Sequence, residues 1–443
     1  MDGSLGAVPA APPYRTVSTA TATAVAVADM VGIGVFTSLG FQIPGMPSAF
    51  PILMLWVVGG LAALAGALAY AELAAALPRS GGEYVFLSRI YHPAIGFMAG
   101  WVSATVGFAA PVALAAMAFG QYFAGVVPGA PPLIMGLAAA WLVTLVHLGG
   151  VRHGSKLQDV ATLVKVGLIV GFIIAGFSVP DPQPISFLPK EGDVALMLGA
   201  PFAVSLVYVM YAYSGWNAAT YISGEVADPE TSLPRALIAA TLIVIALYVA
   251  LNAVFLYTTP MSAMAGQLNV AQIAGEHIFG PAGGRVIGAL ICFGLISTIS
   301  AMMWIGPRVT MAMGEDFPAL SLFARRTEAG VPAVAVLFQL SVVTVMLLTE
   351  SFERVLEYIQ FSLTLCSFLA VLGVIVLRIR EPKLVRPYRL WGYPLTPCVF
   401  LAVTGFMMYY VAVERPLYQT LASVGTLLTG LLVFALSKRI SQR

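Results

Sequence analysis

The chain has 443 residues, of which 59% are hydrophobic and 9% charged, with a formal net charge of +2 and a mean hydropathy of +0.91. A soluble domain carries about 25% charged residues, so this composition excludes a water-soluble globular protein and makes lipid the solvent for most of the chain. The net charge itself adds nothing about partners, because the positive residues are spent on topology; no nucleic-acid partner is expected.

A spanning helix needs about 20 mostly apolar residues. Twelve stretches meet that demand: 17–41, 51–77, 93–124, 131–149, 157–178, 196–223, 236–258, 284–313, 332–349, 357–378, 394–412 and 417–437. A membrane β-barrel would show alternating segments of about 10 residues. These runs are longer and apolar on all faces, so the expected fold class is an all-α polytopic membrane protein with twelve transmembrane helices. Residues 1–15, MDGSLGAVPAAPPYR, have no basic region ahead of an apolar core and no cleavage site. They read as a mobile cytoplasmic tail and not as a cleaved signal peptide.

Lys and Arg set the orientation. With the N-terminus in the cytoplasm and spans alternating, the inner loops and tails hold 17 of the 22 basic residues, among them Arg79, Arg89, Arg152, Lys156, Arg308, Arg325, Arg326, Arg378, Arg380 and Arg386; the outer loops hold four (Lys190, Arg285, Arg354, Arg415), and Lys165 lies within a span. This predicts a multi-pass protein of the plasma membrane with both termini cytoplasmic. Cys292, Cys366 and Cys398 all fall in predicted spans, where they are expected to pack as small hydrophobes.

The first span contains VGIGVF, with Gly32 and Gly34 two apart and Asp29 one helical turn earlier. Interior glycines cost roughly 1 kcal/mol each in a helix. Taken alone they also suit close helix packing. The sixth span carries a matching interruption, Tyr213-Ser214-Gly215-Trp216-Asn217. Paired interruptions in corresponding spans of two inverted halves point to a transporter substrate site. Half-helix N-termini there offer N–H groups to a carboxylate, and freed carbonyls offer acceptors to an ammonium.

At these residues the sequence resembles the amino acid–polyamine–organocation superfamily, and within it the L-type amino acid transporters and their bacterial relatives. The likeness rests on VGIGVF, on AELAAALPRSGGEYVFLSRIYHPAIGFMAGW (71–101), VRHGSKLQDVATLVKVG (151–167), YAYSGWNAATYISGEVADPETSLPRAL (211–237) and GPRVTMAMGEDFP (306–318). The resemblance implies the leucine-transporter fold: a first inverted repeat of five helices over 16–180, a second over 181–380, and two further helices with a cytoplasmic tail over 381–443. It implies that backbone N–H groups around Val31, Gly32, Ile33 and Gly34 bind a substrate α-carboxylate. Carbonyls near the first break and near Tyr211, Ala212, Tyr213 and Ser214, beside Gly215, would bind the α-amino group. Tyr211 sits where relatives carry a gating aromatic, and Asn217 where L-type transporters keep an asparagine. Ile33 departs from the serine or threonine common between the first-helix glycines, and Ser214-Gly215 from a common Gly-Gly. The loop GVVPGAPP lacks the cysteine through which eukaryotic L-type proteins bind an accessory subunit, so no disulfide-linked subunit is expected.

Two charges lie inside spans. Lys165 either snorkels to the inner surface or, as the resemblance implies, reaches the first break in place of sodium. Sodium coupling is then disfavoured, although Ser297, Thr298 and Ser300 would supply oxygens. Asp29 has four competing roles: a salt bridge to Lys165, a proton carrier, a contact to a substrate cation, or a polar partner in the inner gate. Glu72, Arg79, Glu83 and Arg89 read as solvated or paired loop charges, as do Glu225, Asp228, Glu230 and Arg235, with Pro229 and Pro234 shaping a turn. The four histidines are scattered, and no nucleotide loop or nucleophile–base pair is present. No cofactor and no enzymatic activity are expected. The cavity neighbourhood (Ile33, Phe108, Ala110, Tyr211, Ile296, Phe361) is apolar, which favours neutral amino acids. Asp29 keeps cationic amino acids or polyamines in view, with a non-transporting sensor as the other class.

Overall fold

The computed structural model describes residues 17–77, 82–149, 154–217, 226–328, 330–349, 351–414 and 417–441. The expected tail at 1–15, Arg79, Arg152, His153, Glu225, Arg415 and Arg443 lie outside the described residues, as do the side chains of Lys156, Asp159, Lys438 and Arg439.

Helices dominate because lipid offers the backbone no hydrogen-bond partner, so each span satisfies its own N–H and carbonyl groups. Ser18 caps the first, α1 (Thr19–Met30), accepting the Thr21 N–H at 3.1 Å. Helical geometry stops across Val31–Ile33 and resumes in α2 (Gly34–Gln42). Then come α3 (Ala49–Ala76), α4 (Gly82–Ile90), α5 (Pro93–Val102), α6 (Ala109–Val126), α7 (Pro132–Leu148), α8 (Gly154–Phe177), the short α9 (Asp193–Met197) and α10 (Ala200–Ala212). After the second break follow α11 (Pro229–Thr258), α12 (Met261–Met264), α13 (Val270–Asp316), α14 (Ala333–Thr349), α15 (Phe352–Arg380), α16 (Leu395–Glu414) and α17 (Leu417–Ser441).

Among the described residues, eight helical stretches are long and apolar enough to cross a membrane. Four shorter apolar helices accompany them: Pro132–Leu148, Ala200–Ala212, Ala333–Thr349 and Leu421–Ser437. The protein is therefore a multi-pass membrane protein. Three local features differ from the sequence reading. The third predicted span is interrupted by a π-turn at Ser103–Gly107. The eighth extends back to Val270 through a sharp turn at Gly280, whose φ of 77° only glycine adopts freely. Pro234 lies inside α11 and does not shape the turn before it.

Small residues set the packing. Gly59 and Gly60 of α3 lie against Val209 and Ile245, and Gly136 of α7 against the Ala116 backbone. Dispersion across such close contacts replaces the hydrophobic drive that lipid removes. Cys292 and Cys366 are buried as expected, whereas Cys398, in the first turn of α16, is exposed.

The charges near the ends of α3, α4 and α15 are more committed than loop charges usually are. Glu72 is 2% exposed. It accepts from Arg378 Nε at 2.9 Å and from the Leu390 N–H at 2.8 Å, and Arg386 Nε lies 3.4 Å away. Arg378 also stacks on Tyr393, 3.8 Å from the ring centroid. One carboxylate thus fastens α3, the end of α15 and the following segment. Glu83 is also buried and is held by hydroxyls, which corrects the expectation of a loop charge that is solvated or ion-paired. Its carboxylate accepts from the Tyr70 hydroxyl and from Ser367 Oγ at 2.8 Å. Burial pushes the Glu83 carboxyl up, and the two hydroxyl bonds oppose it.

Breaking a buried pair leaves its partner charge uncompensated. Glu72→Gln is expected to cost about 3–5 kcal/mol, read as a lower melting temperature and loss of monodisperse protein in detergent. The surface pair Arg89–Glu381, at 2.7 Å, behaves differently. The Arg89 hydrogen bond holds Glu381 below the usual carboxylate range. Its contribution is therefore present above the ordinary glutamate pKa and is lost as pH falls through the lowered folded value. Melting curves of wild type and Arg89→Gln should converge at acid pH and in high salt.

Candidate functional site

The site is built from two interrupted helices that meet. At the first interruption the Gly32 N–H reaches Met30 O at 2.7 Å and Phe36 N–H reaches Ile33 O at 2.9 Å. No side chain caps the N-terminus of α2, so its first N–H groups face outward from the helix end as donors. At the second interruption α10 stops at Ala212, and residues 213–217 form consecutive turns. The Tyr211 carbonyl accepts both the Ser214 N–H at 3.0 Å and Ser214 Oγ at 2.6 Å.

The two backbones touch where they cross. A Cβ on Gly34 would lie 2.7 Å from Ala212 Cα. A Cβ on Gly215 would lie 2.6 Å from Asp29 Oδ2 and 2.9 Å from the Asp29 carbonyl carbon, and Gly215 has a φ of 98°. Glycine is required at both for lack of room, and at Gly215 for its backbone angle as well. Gly32 is different: its nearest neighbour would be Met30 O at 3.8 Å.

Most of the proposed site residues therefore come together: Val31, Gly32, Ile33, Gly34, Tyr211, Ala212, Ser214 and Gly215 surround the crossing. Tyr211 is 8% exposed. Its carbonyl is already engaged by Ser214, so that bond must open before the carbonyl can take a new donor. Tyr213 is turned into the core. Its hydroxyl donates to Trp56 O at 3.0 Å, and its ring packs on Trp56 and Tyr248. Asn217 is half-buried and engaged.

Lys165 is 6% exposed, which corrects the snorkelling alternative. Its stem lies over Gly294 of α13, and it feels the charge of Asp29. No direct ion pair joins the two among the described residues. Asp29 is instead pressed against Gly215. Of the three hydroxyls named above as oxygens for sodium, Thr298 donates to Gly294 O at 3.1 Å, and Ser300 Oγ lies 3.0 Å from His147 Nε2.

Three residues that the sequence reading passed over complete the site. The Tyr248 hydroxyl of α11 donates to Met30 O at 2.6 Å, satisfying a carbonyl freed by the first break. The Tyr122 hydroxyl of α6 donates to Phe36 O at 2.8 Å. Glu357 of α15, 3% exposed, lies 3.5 Å from the Tyr208 hydroxyl. A tyrosine in an apolar span is an ordinary residue, so no sequence signal marked the first two. Glu357 was visible as an acid at the edge of the tenth predicted span.

Gly34→Ala and Gly215→Ala should each lower the melting temperature sharply, by at least the ~1–3 kcal/mol of an overpacked core. Gly32→Ala should melt near wild type. Tyr248→Phe, which leaves Met30 O with its Gly32 N–H bond alone, should cost about 0.5–1.5 kcal/mol, the net worth of one hydrogen bond. Thermal unfolding of the purified variants in detergent checks all four.

The amino acid permease family model matches residues 17–434. Among curated relatives, the serine/threonine exchanger SteT of Bacillus subtilis is 27% identical over 375 residues, covering 83% of this chain and 84% of its own. The human b(0,+)-type amino acid transporter 1 is 25% identical over 421 residues, covering 93% of this chain and 85% of its own. The mouse large neutral amino acids transporter small subunit 2 is 25% identical over 391 residues, covering 85% and 72%. These relatives are transporters and not enzymes. With two helix breaks crossing at glycine and a family match over nearly its whole length, the chain belongs to the amino acid permease family.

Proposed function

We propose that this protein is a secondary active transporter of amino acids that works by alternating access, with neutral L-amino acids as substrates and no use of sodium. The observation that carries the reading is the crossing of Gly34 with Ala212 and of Asp29 with Gly215, which puts the uncapped N-terminus of α2 beside the unwound end of α10. An amino acid's carboxylate suits the first and its ammonium the second. Substrate side chains would meet the apolar neighbourhood of Ile33, Phe108, Ala110 and Tyr211. The names of the relatives, an exchanger of serine and threonine and a transporter of large neutral amino acids, support neutral substrates and exchange.

The wider frame belongs to the same proposal: twelve spans in the plasma membrane with both termini cytoplasmic, and repeats over 16–180 and 181–380 followed by two helices. In this reading Lys165 holds the first break where other members of the fold place sodium, and Tyr211 closes over the substrate. No covalently attached subunit is needed. Asp29 supports a second reading, in which the substrate is a cationic amino acid or a polyamine, because its carboxylate borders the break.

Uptake into proteoliposomes tests the reading. Labelled L-amino acids are supplied with and without unlabelled amino acid inside, at matched and stepped pH, in sodium and in potassium. A requirement for internal amino acid identifies an exchanger, and uptake into empty vesicles driven by an inward proton gradient identifies a symporter. Lys165→Gln should lose most of the uptake in either case. Asp29→Asn should alter the rate or its dependence on external pH. Sodium dependence overturns the role given to Lys165, uptake of cations alone moves the second reading to the front, and binding without flux makes the protein a sensor.

A further inference from the structure

The inner end of α13 carries a second feature that transport does not use. Trp304 is 50% exposed and Ile305 40% exposed, although both lie on a helix apolar enough to span a membrane. One turn later the exposed Arg308 folds back, donates to the Trp304 carbonyl and lies 3.9 Å from the centroid of the Trp304 ring. Among the described residues no carboxylate pairs with Arg308. Two further cationic or titratable groups act on it electrostatically from other elements. Arg326, in the segment after α13, lies close enough for its charge to be felt at Arg308. It is held at 2.8 Å by Glu315, an exposed pair. The half-buried His147 on α7 also feels Arg308, and its Nε2 lies 3.0 Å from Ser300 Oγ. Leu142, Leu145 and Val146 of α7, which packs beside α13, are exposed apolar side chains.

Glu315 answers the charge of Arg326, so the cation left to meet an anion here is Arg308. The exposed tryptophan and leucines mark the surface as one that meets acyl chains, with the ring at the depth of the headgroups. A guanidinium that spends one nitrogen on a carbonyl keeps further N–H donors in a plane suited to phosphate oxygens. We propose that Trp304 and Arg308 form a binding site for the phosphate of an anionic phospholipid, with its acyl chains lying along α7 and α13. Basic pockets between spans on the cytoplasmic side take such headgroups, and the Lys/Arg bias places this end there.

The test is lipid retention by the full chain, purified in detergent and read by native mass spectrometry after titration with phosphatidylglycerol or phosphatidylcholine. Wild type should retain phosphatidylglycerol in preference, and the preference should weaken with salt. Arg308→Gln should reduce retention roughly fivefold, the effect of one juxtamembrane cation. Lys190→Gln, a basic residue at another surface, should change nothing. Inorganic phosphate at the same concentration should not displace the lipid. Equal retention of the two lipids, or unchanged retention in Arg308→Gln, overturns the proposal. Full displacement by inorganic phosphate overturns it too, since the site would then serve a soluble anion. If Arg308→Gln does not fold, Trp304→Leu carries the same expectation of reduced retention. Retention is read without any transport, so its failure is distinct from failure of the transport reading.

Discussion

Two backbone segments in this protein approach closer than side chains allow. Gly34 meets Ala212, and Gly215 meets the end of α1 at Asp29. In lipid, interrupting a helix is costly because each freed N–H or carbonyl needs a partner. The chain meets that cost by placing the two interruptions against each other and surrounding them with tyrosines. Tyr248 serves Met30 at the break itself, while Tyr122 donates to Phe36 within α2 and Tyr213 to Trp56 within α3, tying those helices to the crossing. Each hydroxyl comes from a different helix, so the crossing also determines how α3, α6, α10 and α11 are arranged around it.

The charged groups divide by what they hold. Glu72 is a structural anchor, satisfied by arginines and a backbone N–H. Glu83 is held by hydroxyls, and Tyr70, one of its donors, stands edge-on to Trp216 at the second interruption with ring centroids 4.7 Å apart. Asp29 and Lys165 sense each other without a direct bond. With Glu72 and Glu83 fully engaged and the Asp29–Lys165 pair not directly bonded, a charge bound at the centre would change the electrostatic balance there most.

Much of this was legible in the sequence. The composition demanded lipid, the apolar runs located the helices, and the two polar interruptions at Gly32–Gly34 and Tyr213–Asn217 located the crossing. The signals were strong because breaks and charges are rare in spans. What stayed hidden has a common physical cause. The π-turn at Ser103–Gly107 comes from packing and not from composition. The burial of Glu83 depends on Tyr70 and Ser367, the latter 284 residues away in sequence. Tyr248 and Tyr122 look like any tyrosine until the fold brings the Met30 and Phe36 carbonyls within reach of their hydroxyls. Pro234 sat beside a turn signal but is the sixth residue of α11, past the first turn where proline is tolerated without loss, so composition alone pointed to a turn there.

The anchor at Glu72 has a consequence for how the molecule is made. Its partner Arg378 lies 306 residues further along the chain, and Leu390 lies 318 residues away. During synthesis α3 enters the bilayer long before either has left the ribosome. Through most of biogenesis this carboxylate must therefore sit in water at the membrane edge or on a borrowed partner. The early helices can insert, but the α3 end cannot settle into its final place until the α15 terminus arrives. Assembly is then gated from the C-terminal side, and a chain that stops short of Leu390 would present the insertion and quality-control machinery with an exposed acid where the finished protein has a closed joint.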